Sequence, residues 1–232
     1  LIILLGHATR LQEELHLLKK TYNATIVLGA TSDTDDKTGT IHSTSSRQPS
    51  KMEILEALAQ IKRQTSQTPP TYAAIKIRGK KMYEYARAGE QIEAPKRPIT
   101  IFDIECKKYT YPFLDITVTC GAGTYIRSIA RDIGTMLNVG GYCETLSRSA
   151  IGPHSSEKSY SPEELPEVIH SSLIPMANPV PHLPSAICTA ENVAKLKRGM
   201  ETQYEKPLPD NIPIALLTDQ DELFGIGRSH SS

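Results

Sequence analysis

From Leu114 to Cys120 the chain alternates strictly, with Leu114, Ile116, Val118 and Cys120 on one parity and Asp115, Thr117 and Thr119 on the other. A period of two is the mark of a strand with one apolar and one wet face. Gly121-Ala122-Gly123 stops the alternation, and Ile126, Ile129, Ile133 and Leu137 then recur at the spacing of an amphipathic helix. A half-buried strand that turns through glycines into such a helix needs a sheet with helix laid against it.

The flanking segments extend that picture. Ile99–Tyr111 and Leu114–Cys120 read as a hairpin, and Ala24–Gly29 as a further short strand that ends in the polar turn Thr31–Gly39. Ser50 with Glu53 forms a capping box, followed by Ile54, Leu55, Leu58 and Ile61 at helical spacing. That helix should stop before Pro69-Pro70. Ser161-Pro162-Glu163-Glu164 marks another helix start. No βαβ repeat is visible, so the expected class is α+β with a mixed, largely antiparallel sheet. Four prolines between residues 173 and 186 suit a linker. Beyond it, Thr189 opens a short helix that Gly199 can close, and Ile214–Thr218 with Leu223–Gly227 read as a terminal hairpin. Two domains are expected, residues 1–175 and a small one over 176–232.

Composition bounds the setting. The 232 residues carry 26 basic and 26 acidic side chains and are 39% hydrophobic, which is globular and neither disordered nor membrane-spanning. The opening apolar run, Leu1 to Leu5, is too short to span a bilayer and lacks the basic flank of a signal peptide. Cys106, Cys120, Cys143 and Cys188 show no metal-ligand spacing and no C-x-x-C pair, which points to reduced thiols in a cytoplasmic protein without a metal site. The sequence starts at Leu1 without Met, inside an apolar segment, and reads as a fragment.

Charge is uneven along the chain. Residues 62–108 hold 11 basic and 5 acidic side chains, whereas residues 177–232 hold 5 basic and 7 acidic. A basic stretch in a neutral chain suggests a polyanion met on one face, although a solvated lysine-rich surface explains it equally well. Within it, Pro69–Arg87 interleaves aromatic and basic residues. On a strand, Lys76, Arg78 and Lys80 would share one face suited to phosphates, while Tyr72, Tyr83 or Tyr85 could stack on bases. A lysine-protected edge strand is the alternative.

Other constellations fail their tests. Asp33, Asp35 and Asp36 before Gly39 do not match a calcium loop, because Thr38 stands where that loop needs glycine and Thr44 where it needs glutamate. Gly121-Ala122-Gly123-Thr124 lacks the Gly-Lys ending of a phosphate loop, and Ile126 replaces the third glycine of a dinucleotide turn. No hydrolase signature appears. One oddity remains: Arg127 lies in the first turn of the helix, where the macrodipole is already positive. A carboxylate or a phosphate should sit beside it.

Taken in order, these segments resemble the TruB-type tRNA pseudouridine synthases. The likeness runs through Leu5-Gly6-His7-Ala8-Thr9-Arg10, Lys20-Thr21-Tyr22, Leu28–Asp36 with Gly39, and the Pro70–Arg87 stretch. It is strongest at Gly123-Thr124-Tyr125-Ile126-Arg127-Ser128-Ile129-Ala130-Arg131-Asp132-Ile133-Gly134 and closes with Leu146-Ser147-Arg148-Ser149-Ala150-Ile151-Gly152. The resemblance implies isomerisation of the T-loop uridine at tRNA position 55, with no cofactor, no metal and no obligatory protein partner. The target nucleotide would leave its stack to be reached. The resemblance also implies a pseudouridine synthase-like fold with a PUA-like C-terminal module.

Roles carry over residue by residue. Tyr22 matches the active-site tyrosine that stacks on the flipped base and moves a proton. Tyr125 and Leu146 match pocket-lining residues, Arg127 the arginine that pairs with the catalytic aspartate, and Asp36 an acidic residue near the bound loop. Lys76, Arg78 and Lys80 become RNA-backbone contacts. The family's nucleophilic aspartate lies in a segment that precedes the match to Leu1. The chain alone is therefore expected to be inactive, with Arg127 left without its carboxylate. Two other readings use the same residues: a non-catalytic tRNA-binding protein or RNA chaperone on this fold, and an RNA-guided, dyskerin-like subunit. The short C-terminal region argues against the second.

Overall fold

In the computed structural model, which describes residues 1–77, 79–87, 94–178, 180–204 and 208–229, two compact units divide the chain. One is His16–Lys158; the other joins Leu1–Leu15 with Ser159–Ser232. The boundary expected near residue 175 lies inside the second of these. No helix among the described residues is long and apolar enough to cross a membrane.

The first unit is built on a five-stranded antiparallel sheet. Its strands are β1 (Lys20–Leu28), β8 (Ile101–Thr110), β9 (Phe113–Cys120), β10 (Gly141–Ile151) and β11 (His154–Ser155), in the order β11-β10-β1-β9-β8. Strand β1 starts four residues earlier than its apolar run, because it is paired along both edges, Lys20 to Cys120 on one side and Lys20 to Ile151 on the other. Ala24, Ile26 and Leu28 face the core with Leu114, Ile116, Val118 and Cys120, all at most 4% exposed. On the opposite face the strands are tied by polar side chains: the Thr21 and Thr119 hydroxyls meet at 3.1 Å, Thr117 donates to Asn23, and Thr25 donates to Asp115.

Two helices cover the apolar face. Helix α2 (Lys51–Lys62) begins at the expected capping box and contributes Ile54, Leu58 and Ile61. It ends well before Pro69, and the chain instead forms β4 (Ser66–Gln67) against β7 (Arg97–Pro98). Helix α4 (Ile126–Met136) contributes Ile126, Ile129 and Ile133. Each fully buried isoleucine is worth about 1.5–3 kcal/mol relative to exposure, so these six side chains weld helices and sheet into one core. Gly134 lets α4 lie against the start of β10: a Cβ there would fall 2.1 Å from the Gly141 nitrogen.

The second unit contains α5 (Leu165–Ser172), α6 (Ala190–Lys197) and a three-stranded sheet of β12 (Ser185–Ile187), β13 (Pro213–Leu217) and β14 (Leu223–Arg228). Thr189 caps α6 by accepting from the Asn192 amide, and Gly199 leaves it with φ +75°. β13 and β14 form the expected hairpin, while β12 joins β13 in parallel.

The basic stretch departs from the expected straight strand. Gly79, at φ +85°, turns the chain so that β5 (Lys76–Ile77) pairs back on β6 (Lys80–Lys81). Lys76 and Lys80 thus stand on opposite arms of a small hairpin, and Arg78 lies outside the described residues. Lys80 holds its ammonium 5.7 Å from the Tyr85 ring in α3 (Met82–Arg87), a cation–π distance.

Candidate active site

The site is assembled where α4 begins. After Cys120 the chain passes through Gly123, at φ +82°, so that Tyr125 stands at the helix N-cap with extended backbone and no side-chain cap. Its free backbone groups are satisfied from elsewhere. Gln67, only 3% exposed, accepts from the Tyr125 amide at 2.9 Å and donates to the Tyr125 carbonyl at 3.1 Å. The Gln67 side chain thus acts as a miniature strand and fixes the helix start.

From that start Arg127 and Arg131, one turn apart, reach the loop between β2 (Ala30–Ser32) and β3 (Ile41–Ser43). Arg127 Nη1 donates to Asp36 Oδ2 at 2.9 Å and to the Thr34 carbonyl at 3.2 Å, and Nη2 donates to the Tyr72 carbonyl at 3.3 Å. Arg131 Nη1 donates to Asp35 Oδ2 at 2.7 Å, its Nη2 to the Thr68 carbonyl at 2.8 Å, and its Nε to Asp132 at 3.2 Å. The negative partner demanded by Arg127 is therefore Asp36, and the expectation of an uncompensated Arg127 is corrected. Asp35 makes the pairing possible. It sits at φ +60°, a region that side chains other than glycine seldom occupy, and turns the chain so that both consecutive carboxylates meet the helix. The main chain holds it there, with the Cys143 amide on the Asp35 carbonyl at 3.0 Å and the Lys37 amide on the Cys143 carbonyl at 3.1 Å.

The two acids are electrostatically different. Burial resists ionisation of Asp36, but hydrogen bonds from the Thr38 hydroxyl and amide, from Thr34, and the Arg127 charge outweigh it and hold the carboxyl below its usual range. Its Oδ1 accepts from Thr34 Oγ1 at 2.8 Å, from the Thr38 amide at 3.0 Å and from Thr38 Oγ1 at 2.5 Å. With both oxygens engaged, Asp36 is a fixed anion that holds Arg127 rather than a free nucleophile. Asp35 goes the other way: burial raises its pKa despite Arg131 and Arg127. Burial likewise raises Asp132, and the Cys143 thiol is pushed up to about 11 by burial and then by Asp36.

Tyr22 and Leu146 are brought together on the core-facing side of the sheet. Leu146 opposes Ala24 across the β1–β10 ladder, and Arg148 opposes Tyr22. Tyr22 is partly buried against the core, and among the described residues its hydroxyl has no hydrogen-bond partner. Leu146 is 48% exposed, so β10 is open at this point. Tyr22 lies four residues along β1 from Ile26, which opposes Cys143 beside the acidic loop. At the rise of a strand that is roughly 13 Å. Tyr22 therefore stands apart from the Arg127–Asp36 pair along β1, and no bond between Tyr22 and Arg127 is seen among the described residues. Arg131, Gln67 and Ser128, whose hydroxyl donates to the Thr68 carbonyl at 2.9 Å, are supporting residues that sequence reading assigned no role. Among the described residues no group of three or more His, Cys, Asp or Glu side chains could hold a metal ion.

Comparison with known proteins points to one family. The profile of the TruB family pseudouridylate synthase (N terminal domain) matches residues 1–126. The chain is 34% identical over 231 residues to tRNA pseudouridine synthase B of Clostridium kluyveri, covering 98% of this chain and 80% of that protein. It is 31% identical to tRNA pseudouridine synthase B of Pasteurella multocida, covering 97% and 76%. Among solved structures, a protein in a Cbf5–Nop10–Gar1 complex superposes with a TM-score of 0.73 at 21% identity, covering 98% of this chain and 65% of that one.

Proposed function

The chain belongs to the TruB family of pseudouridylate synthases, isomerases that act on uridine in RNA, and from that premise we propose that it converts the T-loop uridine at tRNA position 55 to pseudouridine in the cytoplasm. The target nucleotide leaves its stack, at a cost of a few kcal/mol offset by contacts in the pocket. Tyr22, Tyr125 and Leu146 receive the base. An aspartate that the family likeness places ahead of Leu1 acts as nucleophile, and the Tyr22 hydroxyl moves the proton that must leave carbon-5 of the base. Lys76, Arg78 and Lys80 take the RNA backbone, and the small sheet of the second unit serves as a PUA-like module.

The observation that supports this reading best is the uncommitted chemistry of Arg127 and Tyr22. Arg127 uses three of its five N–H donors on Thr34, Asp36 and Tyr72, which leaves two without partners among the described residues. They suit the carboxylate of a nucleophile. Tyr22 offers a hydroxyl that has no partner among the described residues.

Tritium release tests the reading. A tRNA transcript carrying carbon-5 tritium in the T-loop uridine should release label when mixed with the catalytically complete protein, and a transcript labelled only at other uridines should not. Release from the other uridines alone would overturn the T-loop assignment. Tight binding without release, in protein that carries the upstream aspartate, would favour the chaperone reading.

A further inference from the structure

Every arginine and aspartate at the start of α4 has a partner of opposite charge. The start of β1 is built differently. Lys20 is 8% exposed, yet among the described residues its ammonium meets no carboxylate; it donates to the His16 main-chain carbonyl. Lys20 and Tyr22 lie on one face of β1, two residues apart, and Arg148 opposes Tyr22 across the ladder, so all three side chains share that face. Arg148 is exposed and has no carboxylate partner among the described residues. The Lys20 pKa is lowered, by burial first and by the Arg148 charge next.

A buried lysine pressed by a second cation, with no acid beside it among the described residues, is an expensive arrangement for a structural role. A methionine would fill the same space without the desolvation cost. The arrangement makes sense when a third party brings the negative charge. Tyr22 lies directly across the ladder from Arg148 and two residues along β1 from Lys20, so an anion that reaches the two cations lies beside whatever stacks on Tyr22. In an RNA strand the group next to a base, carrying one full negative charge and acceptor oxygens suited to a guanidinium fork, is the backbone phosphate.

We propose that Lys20 and Arg148 form an anion subsite beside Tyr22 that takes a backbone phosphate flanking the target uridine. This rests on the tRNA reading above and extends it. Lys76, Arg78 and Lys80 would hold the RNA backbone, while this subsite fixes the strand at the flipped nucleotide. Arg148 makes the contact, and Lys20, from behind, strengthens the local field without moving.

Binding of a T-stem-loop RNA, measured across a range of salt, tests the subsite. One phosphate contact on a single strand contributes a slope of about 0.7 to the dependence of log affinity on log salt. Arg148→Gln should lower that slope by about 0.7 and weaken low-salt binding about tenfold. Arg148→Lys should restore the slope, since the charge is what the phosphate reads. A methylphosphonate beside the target uridine, which removes that phosphate's charge, should weaken wild-type binding and leave Arg148→Gln unaffected. Lys20→Met, checked for unchanged melting, should weaken binding in the same direction. If Arg148→Gln binds with the wild-type slope, or if the methylphosphonate weakens it as much as wild type, the subsite is wrong while the tRNA reading stands. If the wild-type protein binds no T-stem-loop RNA, both fall together.

Discussion

Two pairs of cations in the first unit are treated in opposite ways. Arg127 and Arg131 are clasped by consecutive aspartates, whose loop is pinned to β10 by main-chain hydrogen bonds. Lys20 and Arg148 have no acid at all among the described residues. The first pair builds structure: it ties α4 to the acidic loop and to the segment 68–72, and so orients the spare donors of Arg127. The second pair is poised for an anion that the chain does not supply. Charge matched internally holds the site in shape, and charge left unmatched is available to substrate.

The strongest way to sharpen the contrast is to remove a group that belongs to neither pair. Tyr22→Phe keeps the ring that stacks and deletes the hydroxyl. Isomerisation of the T-loop uridine should fall by about 10²–10⁴, the usual worth of a positioned proton-transfer group, while T-stem-loop affinity stays within twofold. Unchanged turnover would remove Tyr22 from proton transfer.

Next in size is a stability comparison between the pairs. Arg131→Gln leaves the Asp35 carboxylate, 12% exposed at its side chain, without its ion pair. Breaking a buried pair costs 3–5 kcal/mol, and because Arg131 itself is 29% exposed the expected loss is about 2–3 kcal/mol in urea unfolding. Arg148→Gln should change stability by no more than about 0.5 kcal/mol. Equal losses in both variants would erase the distinction.

Acid titration separates the two aspartates. Asp36 has a folded pKa below its ordinary 3.8, so its contribution is full above 3.8 and is lost as pH falls through the lower folded value. Asp35 has a folded pKa above 3.8, so it favours the folded state most below 3.8 and less as pH rises through the raised value. Asp36→Asn should flatten the acid loss of stability, and Asp35→Asn should steepen it. The same direction of change in both variants would contradict the assignment. The smallest effect concerns Cys143, whose thiol is pushed up to about 11 beside Asp36. It should resist alkylation at neutral pH, and Asp36→Asn should bring its titration downward.

Much of this was legible in the sequence where a pattern was local. The alternation of Leu114–Cys120, the glycine break, the helical spacing after it and the Ser50–Glu53 box all appear as elements, because each is decided by neighbours within a few residues. The oddity of Arg127 at a helix start also pointed to a real requirement. Its answer, Asp36, was missed because the loop brings that carboxylate in from 91 residues away through a left-handed Asp35. Gln67 was invisible for a similar reason, since its partners are the main-chain atoms of Tyr125. Lys76, Arg78 and Lys80 were read as one row because alternation was extended across Gly79, the residue that reverses the chain. Lys20 could have been found: it shares the parity of Ala24, Ile26 and Leu28, which puts a lysine on the buried face.

The central claim is that RNA lies on the face bearing Tyr22, Leu146 and Arg148. The direct test is a T-stem-loop RNA carrying a photoreactive 4-thiouridine at the target position, crosslinked to the protein and mapped by peptide mass spectrometry. Crosslinks in β1 at Tyr22 and in β10 over residues 146–148 are the predicted result. Crosslinks confined to the opposite face of the sheet, at Asn23, Thr25 or Thr117, would contradict it.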